Sequence, residues 1–214
     1  MAAKKDWYQI KAPELFGSRV IGETITSDPK TLVGRRMESG LMDLTGDFSR
    51  YHMKLEFQVT GVEGHNLNTR FIGHDILNDQ IYRMVRRHTR RVDSIDIVRT
   101  KDGASIRMKS IAILLRRVNT SIKKTTRQKM SEIIQKTCSE MTLDDIIKAM
   151  ISGQIQNAIG NELRKIYPVG GVEIRKSELI LREKKHHQFR GRTHLRPKEE
   201  HAATADTAKT EEKE

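Results

Sequence analysis

The chain is poor in several residue types, and each shortage excludes a class of protein. One cysteine, Cys138, stands in 214 residues, so no intramolecular disulfide and no cysteine-rich zinc site can form. Aromatics make up 5% of the sequence, with one tryptophan and five phenylalanines, too few for a surface that reads nucleic acid mainly by stacking bases on aromatic rings. No run approaches the ~18 apolar residues that a bilayer-spanning helix needs, and the opening Met1–Trp7 lacks the apolar stretch of a signal peptide. Hydrophobic residues are 36% of the total and the mean hydropathy is −0.62. A core throughout the length is not expected from such a composition, and part of the chain should be solvated or ordered on a partner.

What is abundant is positive charge. Lys and Arg number 40 against 28 Asp and Glu, for a formal net charge of +12. The excess is uneven. Residues 199–214 carry six acids and two bases, so residues 1–198 hold +16. Fourteen bases and three acids lie between Arg83 and Arg127, and a second basic stretch, Arg182 to Lys198, has seven bases and one acid. An unpartnered run of that kind repels itself and opposes compaction; a phosphate backbone removes the repulsion and releases condensed counterions. A membrane surface would need an amphipathic helix with Trp, Phe or Leu opposite its cations, and that helix is hard to find here. No membrane partner and no small-molecule substrate are expected.

The hydropathy pattern predicts short strands first and helices later. Arg19–Thr26 and Gly34–Leu44 read as extended. Tyr51–Thr60 alternates strictly, with Met53, Leu55, Phe57 and Val59 on one face, and turns through Gly61–Gly64 into Asn66–Ile72. Asp75 is placed to cap a helix over 76–87. Ile95–Thr100 and Ser105–Leu115 form a hairpin around Lys101-Asp102-Gly103, because Asp-Gly supplies a positive φ. Helical spacing follows at Met130, Ile133, Ile134, Thr137, Cys138 and Met141, which makes Cys138 a core residue. Thr142 and Asp145 resemble a capping box. Ile146, Ile147, Met150 and Ile151 mark a short helix ending at Gly153. Ile155, Ile159, Leu163 and Ile166 mark another ending before Pro168, and Val172–Leu181 closes the chain as a strand. The expected fold is α+β: a mostly antiparallel sheet forming a barrel-like core flanked by helices. A basic N-terminal arm (1–16) precedes the globular domain (17–181), and a basic extension (182–198) and a disordered acidic tail (199–214) follow it.

Enzyme chemistry finds little support. Neither G-x-x-x-x-G-K-[ST] nor G-x-G-x-x-G occurs. His186, His187, His194 and His201 lie in a basic, extended stretch without metal-site spacing. His74-Asp75 has no serine elbow to serve and reads as a strand-end histidine before a helix cap. Asp43 with Asp47, and Asp144 with Asp145, read as turn and cap residues. No catalytic residue, metal site or cofactor is therefore assigned. The basic clusters are better explained by RNA. Arg83, Arg86, Arg87, Arg90 and Arg91 exceed what a helix C-terminus needs to balance its dipole. Arg116, Arg117, Lys123, Lys124 and Arg127 repeat the pattern at a strand-to-helix junction, interspersed with Asn119, Thr120, Ser121, Thr125 and Thr126, which can donate to phosphate and sugar. Lys4, Lys5, Trp7, Lys11, Lys101, Arg175, Lys176, Arg190 and Arg192 complete the candidate contacts, and shape and backbone recognition of folded RNA fits them best.

Several segments also resemble one family in order and spacing: Trp7-Tyr8-Gln9-Ile10-Lys11-Ala12-Pro13-Glu14-Leu15-Phe16, Gly34-Arg35 through Asp43-Leu44, Phe71-Ile72-Gly73-His74-Asp75, Met84-Val85-Arg86-Arg87, Thr100-Lys101-Asp102-Gly103, and Ile166-Tyr167-Pro168 leading into Val172-Glu173-Ile174-Arg175-Lys176. They resemble the S-one-e, or S-three-A-e, family of small-subunit ribosomal proteins of archaea and eukaryotes, in its archaeal form, over residues 4–181. The resemblance implies a barrel-like core and a place on the small-subunit platform near the messenger exit. It also implies small-subunit ribosomal RNA and neighbouring ribosomal proteins as partners, a cytoplasmic ribosomal location, no obligate homo-oligomer and no catalytic activity. It makes Trp7, Lys11 and Pro13 part of a docking arm and Arg86, Arg87, Lys101 and Arg175 RNA contacts. The alternative is a free RNA-binding translation or RNA-processing factor.

Overall fold

The computed structural model describes residues 5–181; the expectations for Lys4, Arg190, Arg192, the basic extension and the acidic tail lie outside the described residues. Eight strands occur in the order β1 (Asp6–Lys11), β2 (Val20–Thr26), β3 (Arg36–Gly40), β4 (Met53–Glu63), β5 (Asn66–Ile76), β6 (Arg90–Arg99), β7 (Ser105–Leu114) and β8 (Val169–Ile180). The helices are α1 (Leu41–Thr45), α2 (Asn78–Met84), α3 (Thr120–Ser139), α4 (Leu143–Ser152) and α5 (Gln154–Arg164).

The period-two pattern of β4 is realised in full: Met53, Leu55, Phe57 and Val59 are all buried, and the strand pairs antiparallel with β5 along its length. The far edge of β5 is shared. Asn66–Asn68 pair with β1 in parallel register, whereas Gly73–Asp75 pair antiparallel with Lys176–Glu178 of β8. The sheet thus forks at β5. One branch is β1-β2 and the other β8-β7-β6, while β3-β4 lies on the opposite side. This corrects the barrel expectation, since the sheet is mixed and does not close. The edges of β2 and β3 form no backbone ladder; Arg35 Nη1 donates to Thr24 Oγ1 at 3.4 Å there. A small core (Tyr8, Ile10, Leu32, Val59, Leu67) fills the β1 branch. Asp6–Lys11 of the predicted arm is itself a strand of this branch, with Tyr8 buried and Trp7 exposed.

The main core lies between the β5-β8-β7-β6 branch and α3, α4 and α5. Met130, Ile134 and Cys138 of α3, Ile146 and Met150 of α4, and Ile155, Ile159 and Leu163 of α5 are buried there at the predicted helical spacing. Cys138 Sγ lies 3.9 Å from Met108 Sδ, and burial pushes its thiol up to about 11. It is a packing residue, inert as a nucleophile at neutral pH. Ser94 of β6 and Ser131 of α3 both donate to the buried Asp96 carboxylate, tying helix to strand. The capping box holds: Thr142 Oγ1 accepts from the Asp145 amide at 3.3 Å, and Asp102 Oδ2 takes the Leu143 amide at 2.8 Å.

Other local expectations are revised. Gly34–Leu44 is not one strand. It splits into β3 and α1 because Leu41 and Leu44, three apart, both enter the core, and Gly46 ends the turn at φ 78°. Asp75 does not cap a helix; it lies in β5, Leu77 occupies the N-cap, and α2 ends at Met84 rather than 87. α3 begins at Thr120, six residues before its apolar stripe becomes continuous.

Candidate nucleic-acid interface

Register brings the two arginine clusters together. Arg90 pairs with Leu114, so the start of β6 and the end of β7 share one end of the hairpin. Arg86, Arg87, Arg90 and Arg91 precede or begin β6, while Arg116 and Arg117 follow β7 and lead directly into α3, with Lys123, Lys124 and Arg127 in its first two turns. The connection from α2 is folded tightly. His88 takes φ 70°, and Thr89 Oγ1 donates to the Arg86 carbonyl at 2.7 Å and accepts its amide at 3.2 Å. A cavity of about 400 Å³ joins these parts, lined among others by Arg83, Arg86, Thr89 and Leu115.

Of the ten cations at this end, only Arg91 holds a carboxylate among the described residues, Asp93 at 2.7 Å. Arg83 Nη1 donates to the Tyr51 hydroxyl at 2.5 Å and Arg127 Nε to the Asp93 carbonyl at 2.8 Å; neither neutralises charge. The helix dipole adds to the imbalance. α3 has no acidic residue in its first turn and no side-chain cap at Asn119. Its positive N-terminus therefore faces Arg116, Arg117, Lys123 and Lys124, the opposite of the stabilising arrangement. An anion at this end relieves both terms.

The remaining predicted contacts are elsewhere. Lys101 sits in the turn at the far end of the β6–β7 hairpin, ten residues or roughly 33 Å away. Lys5, Trp7 and Lys11 belong to the β1 branch. Arg175 is the extra residue where the β7–β8 register shifts between Ser110↔Ile174 and Lys109↔Lys176. Lys176 stands apart from the free cations. It lies 3.6 Å from Glu56, 3.7 Å from Asp75 and 3.5 Å from Glu178. Burial alone would lower its ammonium, but the three carboxylates outweigh it and hold the pKa above the usual lysine value.

Sequence reading missed this network, because its members come from β3, β4, β5, β7 and β8. Two cross-strand rows build it, Glu38–Glu56–Gly73–Glu178–Arg107–Ile97 and Gly40–Lys54–Asp75–Lys176–Lys109–Ile95. Lys54 meets Glu38 at 3.6 Å, and Arg107 and Lys109 meet Glu178 at 3.4 and 3.2 Å. The four cations and four carboxylates of this sheet face cancel, so this face adds no net charge to the cations of the α2–β6–α3 end. Among the described residues no group of three or more His, Cys, Asp or Glu side chains converges as metal ligands would, and no helix is long and apolar enough to cross a membrane.

Comparison with known proteins identifies the family. The Ribosomal S3Ae family model matches residues 1–183. The chain is 42% identical over 177 residues to the small ribosomal subunit protein eS1 of Methanothermobacter thermautotrophicus, covering 83% of this chain and 91% of that one. It is 43% identical over 180 residues to the protein of the same name from Aeropyrum pernix, covering 82% and 84%, and 41% identical to that of Desulfurococcus amylolyticus, covering 83% of each. The family is one of ribosomal proteins and not of enzymes. From residue 1 to 183 this chain belongs to the Ribosomal S3Ae family, in its archaeal form.

Proposed function

We propose that this protein is a structural constituent of the small ribosomal subunit and binds small-subunit ribosomal RNA through the cationic end built by α2, β6, β7 and α3. The observation that carries this reading is the set of ten cations around an uncapped helix N-terminus with one carboxylate among them. Relatives bearing the name of a small-subunit protein support it. The mechanism is phosphate neutralisation: each contact releases condensed counterions, and arginine adds bidentate geometry. The rigid body behind it, sheet plus α3–α5, fixes the cations relative to one another. Resemblance to the family further suggests a position on the platform near the messenger exit, with ribosomal proteins as neighbours, in the cytoplasm. Lys5, Trp7, Lys11, Lys101 and Arg175 are secondary contacts in this reading.

The test is sedimentation of small subunits washed at moderate salt. The protein is expected to remain with the subunit after the wash. Release into the supernatant would favour a free RNA-binding factor instead.

A further inference from the structure

A second site lies away from the cationic end, between α5 and β8. Gly153, at φ 82°, links α4 to α5 and turns the start of α5 toward β8. Gln156 is 6% exposed there. Its Nε2 donates to the Met150 carbonyl at 3.0 Å, but its Oε1 is buried with no hydrogen-bond partner among the described residues. That is an expensive state for a polar atom. Gln156 lines two cavities that also share Asn157 and Val172. One, of about 280 Å³, is bounded by Arg50, His52 and Glu173. The other, of about 420 Å³, is bounded by Gly160, Asn161 and Arg164. Together they form one groove, of the size at which ligand clefts begin, about 300 Å³.

The groove is chemically unlike the cationic end. Its floor offers acceptors: the free Gln156 Oε1 and the Glu173 carboxyl. An inorganic anion would meet both and be repelled. Asn157 and Asn161 add amides that donate and accept, which suits the edge of a base carrying both kinds of group. A guanidinium stands at either end. Arg50 Nη2 donates to the Ser152 carbonyl at 2.9 Å, and its charge favours the ionised form of the Glu173 carboxyl against burial; Arg164 Nη1 donates to Asn161 Oδ1 at 3.5 Å. Acceptors and amides in the middle with cations at the ends match an unpaired nucleobase whose flanking phosphates lie along the strand. A neutral peptide could use the amides but would bring no anion to Arg164, which the phosphates of an RNA strand supply.

We infer that the α5–β8 groove binds an unpaired nucleotide of single-stranded RNA and selects its base through Gln156, Asn157 and Asn161. This rests on the RNA-binding reading above and adds a base-reading site to it. Gly160 provides a way to close the groove. A Cβ there would make ordinary contact with Val172 at 3.8 Å, so a long side chain at this position fills the cavity from the helix side.

The experiment measures binding of the full chain to 12-nucleotide homopolymers of A, C, G and U by fluorescence anisotropy at fixed salt. One base is expected to be preferred by about tenfold or more, as a satisfied hydrogen-bonding edge discriminates. Gly160→Leu and, separately, Asn157→Ala with Asn161→Ala should each reduce that preference below about twofold, and the asparagine variant, which keeps Arg50 and Arg164, should do so without changing the salt slope. The asparagines are exposed, so the double variant tests the site even if Gly160→Leu does not fold. Equal affinity for the four RNAs, or a preference unchanged in the asparagine variant, overturns the inference. Equal affinity that also falls with salt leaves phosphate binding intact, whereas absence of all RNA binding defeats both. Side-chain amide resonances of α5 that shift with an added ribosomal protein but not with RNA would assign the groove to a protein instead.

Discussion

His74 Nδ1 lies 2.6 Å from Ser177 Oγ across the seam where β5 meets β8. On the other side of the ring, Nε2 is 2.9 Å from the Ile174 carbonyl. A carbonyl only accepts, so Nε2 carries the proton, and in the neutral ring Nδ1 accepts from the Ser177 hydroxyl. The Ser177 oxygen also receives the His74 backbone amide at 3.2 Å. The ring is buried, and burial lowers its pKa below the ordinary 6.5, outweighing the Ile174 carbonyl and Asp75.

This geometry sets a pH dependence. A histidine whose native pKa is depressed contributes stability that is present above its unfolded pKa, near 6.5, and is lost as pH falls below that toward the native value. Denaturant unfolding of the wild-type chain should therefore weaken below pH 6.5, with a His74 contribution of up to about 1.4 kcal/mol per pH unit. His74→Gln should be less stable at pH 7.5 by about 1–3 kcal/mol, with the difference narrowing toward pH 5. A constant difference across that range would show that folding does not depress the pKa of the ring.

The adjacent residue makes a sharper structural prediction. A Cβ on Gly73 would stand 2.2 Å from the Ser177 carbonyl oxygen and 3.2 Å from its carbon. These are backbone atoms, which cannot swing aside. Gly73→Ala must separate β5 from β8 at the only three residues through which they pair. Thermal unfolding should show a loss of more than about 2 kcal/mol, the range of overpacked and strained sites. A midpoint within about 2 °C of wild type would mean the seam is looser than this register requires.

Lys176 distinguishes structural from RNA-facing cations. With Glu56, Asp75 and Glu178 around it, Lys176→Ala should lower stability by up to about 1 kcal/mol, as partly exposed pairs do. RNA affinity and its salt dependence should stay as in wild type. A reduced slope in a binding titration would place Lys176 against phosphate.

Arg86→Ala combined with Arg87→Ala should do the reverse. Both side chains are exposed and without carboxylate partners among the described residues, so folding should be unaffected. RNA affinity should fall, and the log–log slope against salt should become shallower by about 0.7–0.9 for each phosphate that is no longer neutralised. Isothermal binding at several salt concentrations reads both quantities.

Much of this fold was legible locally. The alternation of Met53 to Val59 gave β4 its buried face, the spacing of Ile155, Ile159 and Leu163 gave α5, and Thr142 with Asp145 gave the cap of α4. These signals depend on residues close in sequence. The fork at β5 was not legible, because Asn66–Asn68 and Gly73–Asp75 choose different partners, β1 and β8, that no periodicity names. The first turns of α3 carry Ser121, Lys123, Lys124 and Thr125, and they read as a junction because they bury little. The site divides in the same way. The arginines and lysines at the two ends of β6 and β7 were visible as charge, and register then joined them. Lys176 read as a free cation because its carboxylates are supplied by three separate strands. The apolar spacing of α5 says nothing of its amides, and only the packing against β8 leaves Gln156 Oε1 buried without a partner among the described residues.

The most direct measurement is ultraviolet crosslinking of native small subunits, with RNA adducts on this protein located by mass spectrometry. Adducts should concentrate on peptides containing Arg83 to Arg91 and Arg116 to Arg127. Adducts confined to the charge-balanced face around Lys54, Lys109 and Lys176, with none at the α2–β6–α3 end, would contradict phosphate neutralisation by the unpaired cations.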